Sequence, residues 1–381
     1  MIHVVADTTA YRADPRREKA AFRALSRLAQ AGQLTLHIPE IVRREAVSQQ
    51  REQYSKDVEA LRTALHNLGR RPLTDTLADY LRASMERLAS LSAELAAFAE
   101  SDFAAWEISV SAVPHPIGDS HGAQVIEAYF AGTPPFRGPK RREDFPDAFL
   151  WQTIRDLATS YDPLYVVSAD KALLTAARCV SGVVPFESPE ALVASEPFQA
   201  ILRTFFASTN FKALVALLPE HLDLVASNIA NDLVDELAGR TVRSDQILDD
   251  NEEATVSMVG EPADLDLDVT AAIDHGNGLV VVPFSLRTEC LLDYAIFKAD
   301  FHTLSDEKSD RVSTTDLNRH YYAAQEYYDV RVQGLISIEV DAEALKSSDL
   351  SEDDLLGVLE DGTISVDSIA ELELFEDQSD A

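Results

Sequence analysis

The sequence predicts an α/β fold in the first half of the chain and a mainly antiparallel β (α+β) domain in the second. In the first 190 residues, short β-branched apolar runs alternate with helical patterns, as in a parallel sheet flanked by helices. Two long helical patterns in succession predict a helical hairpin inserted at about residues 50–110. Beyond residue 250 the apolar spacing becomes alternating, which indicates antiparallel strands with one solvated face.

In the first half, apolar spacing together with Gly and Pro at the ends defines each element. Ala20, Phe22 and Leu25 have helical spacing, and Gly32 ends that helix. Pro39 suits the first turn of the following helix. In chain order we predict a strand (2–6), a helix (15–31), a strand (34–38), two long helices (to about 68, and about 75–107), a Pro- and Gly-rich region (111–140) with a short helix inside it (119–131), a helix at Asp147, a strand (164–168), a helix (171–178) and a strand (180–186).

The second half divides at a change of period. Residues 197–240 have helical spacing, whereas DLDLDVTAAID and YYDVRVQGLISIEVD alternate polar with apolar residues. HGNG at 275–278 predicts a hairpin turn, and TISVDSIAELELF predicts a final strand. We therefore expect an α/β domain at 1–195, a helical connector at 196–250 and an acidic β-rich domain at 251–381.

Cysteine usage and hydropathy bound the surroundings of the protein. The two cysteines, Cys179 and Cys290, lie far apart and give no disulfide framework or zinc spacing. The start of the sequence has no basic segment or cleavage site, and the longest apolar run, at 279–284, is too short to span a bilayer. We expect a cytoplasmic protein that does not enter a membrane.

Four carboxylates stand at the ends of predicted strands or the starts of helices. Asp7 and Asp170 each follow a short apolar run, so they should lie at the carboxyl edge of the parallel sheet, where ligands bind. Glu45 and Asp147 fall near helix starts that can turn toward the same edge. Such carboxylates repel each other unless a cation lies between them, and oxygen ligands favour Mg²⁺ or Mn²⁺. A divalent metal in an open carboxylate site can drive phosphodiester hydrolysis.

Each of these residues also has a purely structural interpretation. Asp7, Asp147 and Asp170 are suitable N-caps for the helices that follow them. Glu45 could form an ion pair along its own helix. Asp144, one turn before Asp147, could assist at the site or replace it. These alternatives remain open from the sequence.

Basic residues surround two of the carboxylates. Lys140, Arg141 and Arg142 precede Asp147, and Lys171 follows Asp170. They could hold the phosphates that flank a scissile bond, or form a solvated loop and a helix start.

Three other chemistries lack the residues they need. No Gly-rich turn with Lys-Ser or Lys-Thr is present to cradle a phosphate. A phosphatase of the haloacid dehalogenase type needs an Asp where Thr9 stands. His115 and His121 lie in a Pro-rich region without a set of zinc partners.

The arrangement of these pieces resembles that of the PIN-domain nucleases over about residues 1–190. A strand ends in Asp7-Thr8, a strand–Pro–helix step leads to Glu45, Asp147-Ala148 opens a helix, and a strand ends in Ser168-Ala169-Asp170-Lys171. The resemblance implies a metal-dependent endoribonuclease that uses Asp7, Glu45, Asp147 and Asp170 to hold Mg²⁺ or Mn²⁺. It favours RNA over DNA as the substrate.

The chain departs from a compact PIN domain in two ways. The inserted hairpin could form a wall beside the active edge or the surface of a homodimer. Residues 1–200 hold 22 Lys and Arg against 26 Asp and Glu, a net charge of −4, whereas residues 201–381 hold 11 against 39, a net of −28. The acidic half should repel nucleic acid, either as a plain solvated surface or as a screen that regulates access. The alternative function is a non-catalytic PIN-like binding or regulatory protein whose acidic domain binds a protein partner.

Overall fold

The computed structural model describes residues 2–206, 210–347 and 350–375. The chain divides into two compact units, Met1–Phe198 and Gln199–Ala381.

The N-terminal unit is a parallel sheet flanked by helices. Its strands are β1 (Ile2–Ala6), β2 (Leu34–Pro39), β3 (Val113–His115), β4 (Leu164–Val167) and β5 (Val183–Phe186). Its helices are α1 (Thr8–Ala13), α2 (Ala20–Gln30), α3 (Glu40–Gly69), α4 (Asp75–Ser109), α5 (His121–Ala131), α6 (Phe145–Ala158), α7 (Lys171–Arg178) and α8 (Pro189–Val193). The strand order is β3-β2-β1-β4-β5, and all four pairings are parallel.

The two central strands are almost wholly apolar and buried, as expected of a parallel sheet covered on both faces. Ala6 of β1 pairs with Val167 of β4, so both strands end at the same level. The residues that follow them therefore meet at one edge. The predicted hairpin is also present, as α3 and α4. Together with the antiparallel sheet of the C-terminal unit, these features confirm the predicted fold class.

Two local predictions were wrong. The helix predicted from residue 15 begins at Ala20, because the Asp14 carboxylate accepts hydrogen bonds from the backbone N–H groups of Glu18 and Lys19 and holds a turn there. A short strand, β3, lies in the Pro- and Gly-rich region, where we predicted one short helix and no strand. This strand is at the edge of the sheet, where a proline such as Pro114 is tolerated.

The C-terminal unit is a mainly antiparallel sheet with helices packed against it. Its helices are α9 (Glu196–Phe206, which begins in the first unit), α10 (Phe211–Leu217), α11 (Leu222–Leu237), α12 (Lys298–Phe301), α13 (Asp306–Arg311) and α14 (Glu352–Glu360). Its strands are β6 (Thr241–Arg243), β7 (Glu253–Val259), β8 (Ala263–Leu267), β9 (Ile273–Gly276), β10 (Leu279–Phe297), β11 (Ser313–Asp316), β12 (Tyr321–Glu339) and β13 (Thr363–Leu374).

Strands β10 and β12 pair along their whole lengths, from Leu279 opposite Glu339 to Phe297 opposite Tyr321. Buried and partly exposed residues alternate along most of β10, so one face carries the core. Asn277 and Gly278 both have positive φ, 53° and 77°, which suits the predicted hairpin turn between β9 and β10.

The segment that we set apart as a helical connector contributes side chains to the core of this unit. Leu214 of α10 and Ile229 of α11 belong to the same buried cluster as Val282 and Ile336 of the sheet. Among the described helices, none is long and apolar enough to cross a membrane alone. One pair bent by 88°, Phe211–Glu220 and Leu222–Leu237, has the necessary length and composition.

Candidate active site

Asp7 lies at the carboxyl edge of the sheet and is held by hydrogen bonds on both oxygens. Its backbone N–H donates to the carbonyl of Val167 at 2.8 Å. Its buried side chain accepts from the Thr8 backbone N–H (2.6 Å), the Thr9 hydroxyl (3.0 Å) and the Ser168 hydroxyl (2.7 Å). Asp7 therefore caps α1 and also sits at the predicted edge, so the two interpretations do not exclude each other.

Ser168 links Asp7 to Asp170. While its hydroxyl donates to Asp7, its oxygen accepts the backbone N–H of Asp170 at 2.9 Å. Asp170 Oδ1 caps α7 by accepting from the backbone N–H groups of Ala172 (2.7 Å) and Leu173 (2.8 Å). Asp170 Oδ2 forms an ion pair with Arg137. Asp170 is thus a helix cap whose second oxygen already has a cationic partner.

Glu45 extends from the second turn of α3 toward Asp7. Its carboxylate accepts from the Thr8 hydroxyl (3.0 Å) and the Gln49 amide (3.1 Å). Burial raises the pKa of Glu45, the negative charge of Asp7 acts in the same direction, and the two hydrogen bonds oppose this rise. Both of these hydrogen-bond partners are neutral. They are not the surface ion pair that the sequence left open for Glu45.

Asp147 differs from the other three carboxylates because no described group donates a hydrogen bond to it. It is the third residue of α6, is half-buried, and accepts no hydrogen bond from the described residues. Burial raises its pKa to about 7, and the charges of four other carboxylates add to the rise: those of Asp7, Asp170, Glu45 and Asp144. The structure thus brings the four predicted carboxylates, and Asp144, into one electrostatic cluster.

Asp144 and Arg137 form the outer part of this cluster. Asp144 is buried, and its Oδ2 accepts the backbone N–H of Arg137 at 3.0 Å. The guanidinium Nε of Arg137 lies 3.9 Å from Asp144 Oδ1, while its Nη2 pairs with Asp170. Arg137 was not singled out from the sequence. The available signal was its place in the segment FRGPKRRED, which also holds the three predicted basic residues.

The four basic residues predicted to bind substrate lie outside these contacts. Lys140 has a positive φ of 63°, and its backbone N–H donates to Tyr129 of α5 at 2.9 Å, which anchors the loop. Arg141 is exposed and 4.0 Å from Glu143. Arg142 and Lys171 are exposed as well. Within the described part of the chain, none of the four forms an ion pair with a cluster carboxylate.

The chemistry of the cluster fits a hard divalent cation, because every candidate ligand is an oxygen and Asp147 lacks any donor. In the arrangement observed, however, no group of three or more His, Cys, Asp or Glu among the described residues could hold a metal ion. Hydroxyl groups, backbone N–H groups and Arg137 occupy the other carboxylates. A metal ion that used Asp170 Oδ2 would compete with Arg137 for it.

Comparison with known proteins identifies a family for the first half of the chain. Residues 4–172 match the family model of the PIN domain. That range includes Asp7, Glu45, Asp144, Asp147 and Asp170, together with Arg137 and the whole hairpin. No curated protein and no solved structure matches the chain.

Proposed function

Because the N-terminal half of this chain is a PIN domain, we propose that it is a metal-dependent endoribonuclease that hydrolyses phosphodiester bonds at the carboxyl edge of its sheet. PIN domains are generally nucleases and usually use divalent metals. The resemblance favours RNA over DNA as the substrate.

The environment of Asp147 is the observation that carries the proposal. A half-buried carboxyl with no donor, facing four other carboxylates, is costly in its charged form unless a cation joins it. Asp7, Glu45, Asp147 and Asp170 would hold Mg²⁺ or Mn²⁺, and Asp144 could assist them or replace Asp147. When bound, that ion would supply a Lewis acid and lower the pKa of a water molecule.

The other residues of the edge have positioning roles. Thr8, Thr9 and Ser168 fix both oxygens of Asp7, so its orientation does not depend on a ligand. Arg137 provides a cation within the cluster itself. Lys140, Arg141, Arg142 and Lys171 are exposed and unpaired with the cluster, so they remain able to contact phosphates on either side of a scissile bond.

The direct test is cleavage by the full chain. Single-stranded RNA and DNA of the same sequence are incubated with the protein in Mg²⁺, in Mn²⁺ and in excess EDTA. We expect the RNA to be cut internally with either metal and to remain intact in EDTA. Cleavage that persists in EDTA contradicts the metal, and cleavage of DNA alone contradicts the proposed substrate.

A second function is favoured by Arg137. Its guanidinium pairs with Asp170 and lies near Asp144, so the protein neutralises part of the cluster without a metal. This arrangement suits a non-catalytic PIN-like protein, in which the acidic C-terminal unit would bind a protein partner. Calorimetric titration of the full chain with Mn²⁺ separates the two functions. Binding at millimolar concentration or below supports the nuclease, and no binding supports the regulatory protein.

A further inference from the structure

The helical hairpin buries very little of its own apolar surface. Between residues 51 and 98, the buried side chains of α3 and α4 are Val58 and Leu88. Helices this long, paired but without a further layer, bury too little apolar surface for their own stability. Several other large apolar side chains of this segment are exposed and therefore available for a partner protein.

Contacts between α3 and α4 fix their direction and level. Arg43 pairs with Glu107 at 3.0 Å, and Arg51 pairs with Glu100 at 3.2 Å. Near the turn, a Cβ on Gly69 would lie 3.0 Å from Leu81. The helices are thus antiparallel. The less exposed positions that face the other helix of the hairpin include Tyr54, Val58 and Leu65 on α3 and Leu81, Met85, Leu88, Ser92 and Leu95 on α4.

The exposed leucines and the phenylalanine follow from this inner row by a constant offset. Leu61, Leu68, Leu91 and Phe98 each come three positions after an inner residue, and they are 48%, 50%, 39% and 51% exposed. Three positions along a helix correspond to a rotation of about 60° back from the inner direction. Because the two helices run in opposite directions, the same rotation turns both rows to one flank of the hairpin.

We call this surface the apolar flank, and define it as Leu61, Leu68, Leu77, Leu91 and Phe98. Leu77, which is 52% exposed, comes four positions before the inner residue Leu81 and so joins the same flank. Within each helix the members are separated by seven residues or a multiple of seven. A seven-residue apolar repeat is the pattern that packs side chains into the gaps of another helix. The occupant of the flank should therefore be helical.

We propose that the apolar flank binds the apolar flank of a second copy of this chain, which would form a four-helix bundle between two protomers. Residues 51–98 hold seven basic and seven acidic residues, a net charge of zero in a chain of −32. A second copy can therefore approach here without the repulsion that the C-terminal unit, with its net charge of −28, imposes. A two-fold interface also requires one patch that matches itself, as a repeat of constant spacing does.

The size of the flank is sufficient for a stable dimer. Residues 51–69 of α3 and 75–98 of α4 extend roughly 29 Å and 36 Å, so a face two helices wide would bury about 650 Å² per protomer. The total, about 1,300 Å², lies in the range of specific protein interfaces. This inference does not depend on the proposed nuclease function.

The test is the mass of the full chain in solution, measured by light scattering and by sedimentation over a range of concentrations. A reducing agent is present because Cys179 is exposed. We expect the wild type to have twice its chain mass of 41.9 kDa at micromolar concentration. Leu91→Glu with Phe98→Glu should weaken dimerisation by at least about 100-fold, since each subunit would place two carboxylates in the desolvated interface, four in the dimer.

The matched control is Ala89→Glu with Ala93→Glu, which adds the same charge to α4 on the side away from the flank. This variant should remain dimeric. A monomeric wild type overturns the proposal, as does a dimer that survives in the Leu91 and Phe98 variant or that is lost equally in the control. If the glutamate variant loses helical circular dichroism, Leu91→Gln with Phe98→Gln takes its place. A monomeric wild type overturns the proposal whichever pair of variants is used.

Discussion

Asp147 differs from the other cluster carboxylates in what surrounds it. Asp7, Glu45, Asp144 and Asp170 each accept hydrogen bonds from hydroxyl, amide or backbone groups. Asp147 faces their negative charges instead, and burial together with those charges raises its pKa to about 7. Ionisation of Asp147 therefore costs more free energy in the folded protein than in the unfolded chain, and a bound cation would offset that cost.

The first prediction concerns stability without metal. The pKa of Asp147 is higher in the folded than in the unfolded chain. The stability that the folded protein loses by ionising Asp147 therefore grows as the pH rises from about 4, and the loss is complete above about 7. Asp147→Asn should therefore stabilise the N-terminal unit, by about 1–2 kcal/mol more at pH 8 than at pH 5 once solvent screening is allowed for. Denaturant unfolding followed by tryptophan fluorescence measures this unit alone, because Trp106 and Trp151 are the two tryptophans of the chain.

Asp119→Asn is the control for this measurement, since Asp119 is exposed and outside the cluster. It should change stability little at either pH. An Asp147→Asn variant that gains equally at pH 5 and pH 8 would contradict the raised pKa.

The second prediction concerns Arg137. Its guanidinium competes with any cation for Asp170, so Arg137→Gln should tighten the binding of Mn²⁺ by about three- to tenfold, the effect of one partly exposed charge pair. Calorimetric titration of the full chain measures the dissociation constant. Arg141→Gln removes a nearby charge outside the cluster and should leave the constant unchanged. Weaker binding in the Arg137 variant would mean that Arg137 supports the metal site rather than competes with it.

At the scale of elements, the strand ends determine which site residues meet. Apolar runs that stop at Asp7 and before Asp170 were sufficient to predict the two central strands and the edge where they end. The start of α2 was missed because the turn at Asp14 depends on side-chain hydrogen bonds that apolar spacing does not reveal. Arg137 was missed because its pairing across 33 residues depends on how the loop folds, which local pattern does not specify.

The third prediction concerns three histidines on neighbouring strands. His37 of β2 hydrogen bonds to His3 of β1 (3.0 Å) and His115 of β3 (2.8 Å). Burial, followed by the charges of His115 and His3, lowers the pKa of His37 to about 4. The uncharged row of three hydrogen-bonded histidines, the histidine chain, therefore stabilises the sheet fully above about pH 6.5. This contribution is lost as the pH falls toward 4.

Between pH 7 and pH 5, the free energy of unfolding of the N-terminal unit should fall by about 1 kcal/mol because of His37. His37→Asn should flatten this dependence, whatever it does to the stability at pH 7. His66→Asn is the control, because His66 is exposed on the hairpin. An unchanged slope in the His37 variant would show that the histidine chain does not titrate on unfolding.

At the scale of the whole molecule, charge separates the two units. The N-terminal unit carries a net charge of −4 and the C-terminal unit −28. This difference in net charge can be counted from the sequence alone. Its consequence for nucleic acid depends on distance, because repulsion acts over about 8–10 Å at moderate salt.

The fourth prediction concerns that repulsion. If the acidic unit screens the carboxylate edge, residues 1–198 alone should bind RNA about tenfold more tightly than the full chain at low salt, with a smaller difference at high salt. Tryptophan fluorescence establishes that the shortened protein is folded. Equal affinity at both salt concentrations would leave the acidic unit as a solvated or partner-binding surface.

The central claim is that the cluster around Asp147 cuts RNA, and single-turnover cleavage by the full chain tests it most directly. Asp147→Asn keeps the shape of the side chain and removes its charge, whereas Asp119→Asn makes the same change away from the cluster. With Mg²⁺ present and folding verified, we predict that Asp147→Asn slows cleavage by about 100-fold or more and that Asp119→Asn cuts at the wild-type rate. Wild-type cleavage by the Asp147 variant would contradict the account.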